Sequence, residues 1–157
     1  MWYYNAMKYS LRQIVGITIW WTEGTKAFKD KRWGSMIYPV DVTNTNTDII
    51  KSFLQFLRED IGINENRLKL QLQIHEGDNQ KEMEKYWSST TKIPIKRFTK
   101  TIIRPAGIKV GKSNGTCKVR YSDKATYLKL QKLWEDVLNS LEKNSNLKKE
   151  ILNKPTV

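Results

Sequence analysis

The chain has 157 residues, a formal net charge of +12 and a hydrophobic content of 39%. This composition excludes a disordered basic tail and favours one folded domain. The single cysteine, Cys117, excludes an intrachain disulfide, and the single histidine, His75, excludes a metal site built on a histidine pair.

Neither a membrane span nor a signal peptide is predicted. The chain contains no run of about eighteen apolar residues. Its first residues, Met1-Trp2-Tyr3-Tyr4, lack the basic and apolar regions of a secretory signal. We therefore expect no membrane partner and a cytoplasmic location, in a reducing setting that agrees with a lone cysteine.

The first predicted helix, at 10–23, contains the least polar stretch of the chain. Residues 14–21 carry no charge, so we expect this helix to be buried or packed against a partner. Gly24 is expected to end it in the left-handed conformation. Glu23 lies in the last turn, where the helix dipole disfavours a carboxylate. Two explanations for Glu23 remain open: a bound metal ion, or an ion pair with Lys26 three residues later.

Strands and helices alternate after this helix. Periodicity predicts a strand at 36–43, in which Pro39 indicates an edge strand or a bulge. Periodicity and turn residues then predict a helix at 47–61 capped by Asn46 and closed by Gly62, a strand at 67–76, a helix at 79–90 capped by Asp78, strands at 99–104 and 116–121, and a final helix capped by Ser122. These elements predict an α+β fold. We expect a single domain at 1–143 and a polar C-terminal tail at 144–157.

Two of the predicted strands carry polar side chains along one face. These side chains are Arg67, Lys69, Gln71, Gln73 and His75 on the first strand, and Lys118 and Arg120 on the second. Arginine, lysine and glutamine are residues that read base edges in the major groove of DNA. The alternative is an antiparallel sheet that turns one polar face to water.

The charge distribution favours the DNA-binding interpretation. Between residues 92 and 132 the chain has twelve lysines and arginines and one acid, Asp123. Such a field attracts phosphate backbones. The segment 107–113 in this region resembles a phosphate-binding P-loop, but its glycines are too close together and a predicted strand follows it instead of a helix. We exclude a nucleotide site there and keep Lys112 as a candidate contact to nucleic acid.

The end of the first helix resembles a known motif. Thr18, Thr22, Glu23 and Gly24 occupy the places of the LAGLIDADG homing-endonuclease motif, a helix that ends in small-x-x-x-small-acid-glycine. The element order over residues 8–142 and the segments 22–26, 72–76 and 115–120 are similar to a branch of small prokaryotic LAGLIDADG-like proteins. The chain departs from the motif at Thr18, where glycine or alanine is common, and at Glu23, which replaces aspartate.

The resemblance implies a homing-endonuclease-like fold, in which a mixed antiparallel sheet packs on helices, with a helical insertion near 78–98. It also implies Mg²⁺-dependent cutting of double-stranded DNA. One copy of the motif implies a homodimer whose helices cross through Thr18, Trp21 and Thr22, and a roughly palindromic DNA site. Glu23 and the backbone carbonyl of Thr22 would hold the metal ion, and Lys26 would stabilise charge in the transition state.

Two other functions remain open. One is a non-cleaving, regulatory DNA-binding protein that retains the fold, and the other is a protein that binds structured RNA. Trp20 and Trp21 are expected to pack in the core, His75 is expected either to contact nucleic acid or to have no role, and Glu76 is a candidate second metal ligand.

Overall fold

The computed structural model describes residues 8–107 and 113–152. Its helices and strands are, in chain order, α1 (Leu11–Glu23), β1 (Phe28–Lys29), β2 (Met36–Ile37), β3 (Val42–Asn44), α2 (Thr47–Phe56), β4 (Lys69–His75), α3 (Gln80–Thr91), β5 (Ile102–Arg104), β6 (Thr116–Arg120) and α4 (Lys124–Leu152). A π-helical turn, Leu57–Ile61, extends α2, and short 3-10 turns precede β4 and β5.

The predicted α+β class is confirmed. Four strands form a mixed sheet in the order β3-β6-β4-β5, in which only β4 and β5 run parallel among the described strands. Strands β1 and β2 form a separate antiparallel hairpin. Helix α3 lies within the insertion predicted near 78–98. No helix in the described parts of the chain is both long and apolar enough to cross a bilayer.

One face of the sheet forms the core with the helices. Leu70 and Leu72 of β4 are buried and lie opposite Val119 and Cys117 of β6, and directly opposite residues share a face of the sheet. Strand β3 contacts both α1 and α2. The largest fully buried side chains include Trp20, Trp87, Phe53, Phe56, Ile17, Ile50, Leu54 and Leu57. Leucine, isoleucine and aromatic burial on this scale is the main stabilising contribution to the fold.

Helix α1 is buried on one side only. Ser10 and Gln13 form a capping box at its start. Gly16 and Trp20 face the core, as expected for Trp20. Trp21 is partly exposed and stacks on Trp134 of α4, with ring centroids 5.1 Å apart. The apolar sequence of α1 therefore leaves an uncovered side, which begins at Leu11, 70% exposed.

The predicted left-handed stop at Gly24 is wrong. Gly24 is extended, with φ −82° and ψ 147°. Its N–H donates to the Trp20 carbonyl, and the residue forms an antiparallel bridge with Val42. The chain therefore leaves the helix directly along the edge of the sheet, and an extended glycine suits that path. Gly62 does adopt the left-handed conformation, at φ 73°, and closes the second helix as predicted.

Several predicted boundaries also need correction. The strand at 36–43 is two strands, because Pro39 cannot donate to a ladder and makes only an isolated bridge to Ser122. Arg67 lies in the 3-10 turn Glu65–Arg67 and not in a strand. Both predicted caps are one residue early: Asn79 caps α3, and Asp123 accepts from Thr126 N–H at the start of α4. Helix α4 continues to Leu152, through most of the segment predicted as a polar tail.

Candidate nucleic-acid interface

Polar side chains of β4 and β6 share the face of the sheet that is turned away from the core. In register, Lys69 lies opposite Arg120, Gln71 opposite Lys118, and Gln73 opposite Thr116. These six residues are called the polar sheet face below. Each is at least partly exposed, whereas their neighbours along the strands are buried. The structure thus brings five of the predicted DNA-binding residues together: Lys69, Gln71, Gln73, Lys118 and Arg120.

Both glutamines are held by neighbouring groups. Gln71 Nε2 donates to the Lys100 carbonyl oxygen at 3.2 Å. Gln73 Oε1 accepts from Arg104 Nη2 at 3.0 Å and from Arg104 Nε at 3.3 Å. An amide fixed in this way presents its remaining polar atom in a defined direction, which direct reading of base edges requires.

Lys118 is paired with an acid that the sequence did not single out. Its Nζ lies 3.2 Å from Asp41 Oδ2, and Asp41 is only 7% exposed. The other carboxylate oxygen of Asp41 accepts the backbone N–H of Tyr121. Asp41 alternates with Val40 and Val42, and this alternation was the available signal that its side chain belongs to the polar face. The pair positions Lys118 and offsets its charge.

A groove of about 540 Å³ lies over one end of the polar sheet face. Four cationic residues line it: Arg67, Lys69, Lys118 and Arg120. Phe28 and Ile37 of the β1–β2 hairpin and Pro39 contribute apolar lining, while Asp41 and polar residues complete the groove. Its net charge is positive, which suits an anionic ligand such as a phosphate backbone.

The remaining predicted contact residues lie apart from the centre of this face. Arg67 donates to the Ser122 carbonyl oxygen and pairs with Asp123 at 3.2 Å, so it joins the start of β4 to the start of α4. His75 lies at the opposite end of β4, half-buried, with Nδ1 3.9 Å from Asp78 Oδ2. Lys112 falls outside the described residues. Glu76 Oε2 accepts the backbone N–H of Ala106 at 3.4 Å, at the same end of β4 as His75.

Glu23 lies beside the edge strand of the sheet. The bridge between Gly24 and Val42 brings the end of α1 next to β3, and Glu23 Oε2 accepts from Asn44 Nδ2 at 3.4 Å. The adjacent residue of β3, Thr43, lies opposite Lys118 of the polar sheet face. Glu23 is exposed, so its carboxylate is open to a ligand or to a second chain.

Comparisons with known proteins found no matching family model, no curated protein of similar sequence and no solved structure of similar fold.

Lys26 caps the C-terminus of α1 and does not pair with Glu23. Its Nζ donates to the carbonyl oxygens of Trp21 at 2.7 Å and Gly24 at 3.2 Å. It also lies over the Trp20 and Trp21 rings. Partial burial lowers the pKa of Lys26. A cation here offsets the negative end of the helix dipole. The alternative explanation for Glu23, an ion pair with Lys26, is wrong, because the ammonium group contacts backbone carbonyl oxygens instead.

Two of the three predicted dimer residues, Thr18 and Thr22, lie on the uncovered side of α1, whereas the third, Trp21, stacks on Trp134 of α4. Thr18 Oγ1 donates to the Ile14 carbonyl oxygen, and Thr22 Oγ1 donates to the Thr18 carbonyl oxygen, so both hydroxyls turn back onto their own helix. Both residues are exposed. Their hydrogen-bonding groups are therefore satisfied within the helix, and the surface they present is small and compact.

One chain offers few ligands for a metal ion. Within residues 8–107 and 113–152, no group of three or more histidine, cysteine, aspartate or glutamate side chains is placed to hold one. Glu23 supplies one exposed carboxylate, and the Thr22 carbonyl oxygen is its neighbour in the chain. Hard oxygen donors of this kind suit Mg²⁺, which takes one or two carboxylates together with waters and substrate phosphates. Glu23 and the Thr22 carbonyl oxygen are therefore compatible with Mg²⁺, but within the described residues they are not joined by further side-chain ligands.

Proposed function

We propose that the chain is a DNA-binding protein of the LAGLIDADG endonuclease type, which cuts double-stranded DNA with Mg²⁺ as a homodimer inside the cell. One observation carries the proposal: the exposed carboxylate of Glu23 lies at the edge of a sheet whose outer face combines cations with oriented amides. Contacts to phosphate and contacts to base edges are the two components of sequence-specific DNA binding.

The polar sheet face has side chains for both components. Lys69 and Arg120, opposite one another, supply positive charge for the phosphate backbone. Gln71 and Gln73, each held by a neighbouring group, supply amides for base edges. The charge of Lys118 is offset by Asp41, so this lysine adds less positive charge to the face than Lys69 and Arg120 do.

The uncovered side of α1 supports a homodimer. Leu11, Val15, Thr18 and Thr22 follow at spacings of four, three and four residues, which places them on one side of a helix. None carries a charge, and Leu11 and Val15 expose apolar surface. A second copy of α1 packed there would bury this surface, and threonines at i and i+4 would let the two helices approach closely. A twofold dimer brings two Glu23 carboxylates towards one another.

Each Glu23 and Thr22 carbonyl would contribute to holding Mg²⁺ when DNA is bound. The metal ion would activate a water molecule and neutralise charge on the leaving oxygen. Asn44 orients the Glu23 carboxylate through its amide. Lys26 offsets the helix dipole that otherwise disfavours a carboxylate at this position.

A second candidate function is DNA binding without cutting. The position of Lys26 favours it, because its ammonium group contacts the carbonyl oxygens of Trp21 and Gly24, on both sides of Glu23 in the chain. A fixed cation so close to a carboxylate repels a divalent ion. Such a protein would keep the sheet contacts and the dimer, and would act as a regulator.

The proposal is tested first by DNA binding. The double variant Lys69→Gln/Arg120→Gln removes two cations from the polar sheet face. Lys81→Gln/Lys85→Gln removes two exposed cations from α3 and is the matched control. We expect the first variant to bind duplex DNA at least tenfold more weakly at moderate salt, and the control to bind within about threefold of wild type. Equal losses in both variants would contradict a specific role for this face.

The dimer is tested by sedimentation. Val15→Glu places a charge on the uncovered side of α1, whereas Leu128→Glu places one on an exposed site of α4. We expect the wild type and the α4 variant to sediment as dimers on DNA, and the α1 variant as a monomer. A wild-type protein that stays monomeric on DNA would contradict the shared-helix arrangement.

A further inference from the structure

The β1–β2 hairpin exposes an aromatic side chain at its tip. Trp33 is 79% exposed, and Phe28 and Met36 on the strands of the hairpin are about half exposed. Single exposed apolar residues are common on protein surfaces, but several on one short hairpin mark an interaction site. In the sequence alone, this segment has only the character of a basic loop.

The tip is an ordered turn held by Asp30. The Asp30 N–H donates to the Ser35 carbonyl oxygen, and its own carbonyl accepts the Gly34 N–H, both at 2.8 Å. Its side chain accepts the Arg32 N–H at 2.8 Å and also contacts the Arg32 guanidinium group. These bonds lower the pKa of the Asp30 carboxyl group. Gly34, at φ 67°, takes the left-handed position that closes the turn. Trp33 is thus presented by a fixed turn.

The charges around Trp33 are those of a nucleic-acid contact. Lys29, Lys31 and Arg32 surround the tip, against one acid, Asp30. Arg32 is paired with Asp30, whereas Lys29 and Lys31 have no ion pair within the described part of the chain. An exposed aromatic ring among lysines suits a partner that offers a flat π-face beside negative charges, and a base with its phosphate has both.

The hairpin also lies beside the cationic groove over the polar sheet face. Phe28 and Ile37, which pair across the hairpin, line the cationic groove over the polar sheet face. The turn begins two residues beyond Phe28, so its tip is within about 10 Å of the groove wall at the usual rise of a strand. A DNA duplex lying on the polar sheet face is wide enough to meet both surfaces at once.

We propose that the hairpin tip is a second DNA-contacting element, in which Trp33 inserts at a base step of the duplex and stacks against a base, while Lys29 and Lys31 contact neighbouring phosphates. This inference rests on the proposed binding of DNA by the polar sheet face. The two elements contribute different interactions. The tip stacks on a base and is tolerant of sequence, whereas the amides of the sheet face select base edges.

The test separates stacking from charge in one set of titrations. Fluorescently labelled duplexes are titrated with wild type, Trp33→Ala, Trp33→Phe and Lys29→Gln/Lys31→Gln at several salt concentrations. Leu128→Ala, at an exposed site of α4, is the control for general loss of apolar surface. Because Trp33 is exposed, none of these changes reaches the core, and thermal melting checks that each variant folds.

We expect Trp33→Ala to bind roughly tenfold more weakly with an unchanged salt dependence, and Trp33→Phe to keep most of the affinity. The lysine double variant should lower the slope of log affinity against log salt by up to about two.

Several outcomes would overturn the inference, and one of them would also overturn the proposed function. Unchanged DNA affinity in Trp33→Ala overturns the hairpin contact and leaves the sheet contact intact. Equal weakening in Trp33→Ala and Leu128→Ala also overturns the hairpin contact. Trp33-dependent binding to phosphatidylcholine–phosphatidylserine vesicles, without a Trp33 effect on DNA, identifies the tip as a membrane contact. Absence of duplex binding by wild type overturns both the inference and the proposed function.

Discussion

Lys118 and Asp41 form an ion pair on the polar sheet face, with Nζ and Oδ2 3.2 Å apart and Asp41 nearly buried. The pair determines how much of the positive charge of this face is available to a ligand. Lys69 and Arg120, at the next position along the strands, have no ion pair in the described parts of the chain. Of the three cations on this face, Lys118 is therefore paired with an acid, whereas the charges of Lys69 and Arg120 are available to a ligand.

Asp41→Asn is expected to strengthen DNA binding. Asparagine keeps a side-chain oxygen for the Tyr121 N–H, but the charge of Lys118 is no longer offset. Duplex affinity should rise severalfold at low salt, and the slope of log affinity against log salt should steepen by up to about one. Fluorescence anisotropy at several salt concentrations measures both. Adding Lys118→Gln to this variant should return the slope to its wild-type value, and a slope that does not respond to either change would contradict the role of the pair.

Gly16→Ala is expected to destabilise the fold. A Cβ atom on Gly16 would lie 2.1 Å from Phe56 Cγ, so α1 and α2 would have to move apart. Forcing extra volume into a packed core costs about 1–3 kcal/mol, and urea unfolding measures the loss. Thr18→Ala, on the uncovered side of the same helix, should change stability by less than about 0.5 kcal/mol. Equal stability of Gly16→Ala and wild type would show that the two helices are not in this close contact.

Asp123→Ala is expected to weaken α4 in a pH-dependent way. Hydrogen bonds from Thr126 and the guanidinium group of Arg67 hold the pKa of Asp123 below its usual range. A carboxyl whose folded pKa is depressed stabilises the protein above its unfolded pKa, and this stabilisation is lost as the pH falls through the folded pKa. At neutral pH the loss of the cap should cost about 1 kcal/mol. The difference in stability between the variant and wild type should shrink as the pH falls below the unfolded pKa, about 4.

Ser122→Ala is the matched control for this cap, because Ser122 is the residue that the sequence predicted as the cap. Its hydroxyl donates only to the Tyr38 carbonyl oxygen at 3.5 Å. Thermal melts from pH 2.5 to 7 should show little change in this variant. A larger loss of stability in Ser122→Ala than in Asp123→Ala would show that Ser122 caps α4, as the sequence predicted.

Cys117 is expected to be inert in the folded protein. It is fully buried between the sheet and the helices, and burial raises the pKa of its thiol to about 12. Because the thiolate is the reactive form, a thiol reagent at pH 8 should modify Cys117 only when the protein unfolds. The labelling rate should therefore rise with urea in parallel with unfolding, and rapid labelling without denaturant would contradict the packing of β6.

The sequence predicted the helices and longer strands of this fold, but it did not predict how the segments between them pair and turn. The alternation around Leu70 and Leu72 identified β4 because a half-buried strand imposes a period of two. The conformation of Gly24 was not readable, because it depends on a bridge to Val42, far away in the chain. The same is true of Asp41, whose importance depends on the register of β3 against β6. Local patterns cannot encode these pairings.

The hairpin β1–β2 was missed for a different reason. Strand β2 lies at the start of the strand predicted at 36–43, but its partner β1 is only two residues long, which is too short to show alternation. The useful signal was the turn itself, since Asp30 and Gly34 are residues that begin and close tight turns. Lysines around them gave the segment the character of a basic loop. As a result, the exposure of Trp33 became apparent only in the folded chain.

The most direct test of the account is Mg²⁺-dependent cutting of DNA by wild type and by Glu23→Gln. The substrate is a library of randomised duplexes, and the control is Glu135→Gln, which removes an exposed acid from α4. We expect wild type and the control to cut a subset of roughly palindromic duplexes with Mg²⁺, and Glu23→Gln to bind the same duplexes without cutting them. Equal cutting by Glu23→Gln and wild type, or binding by wild type with no cutting of any duplex, would contradict it.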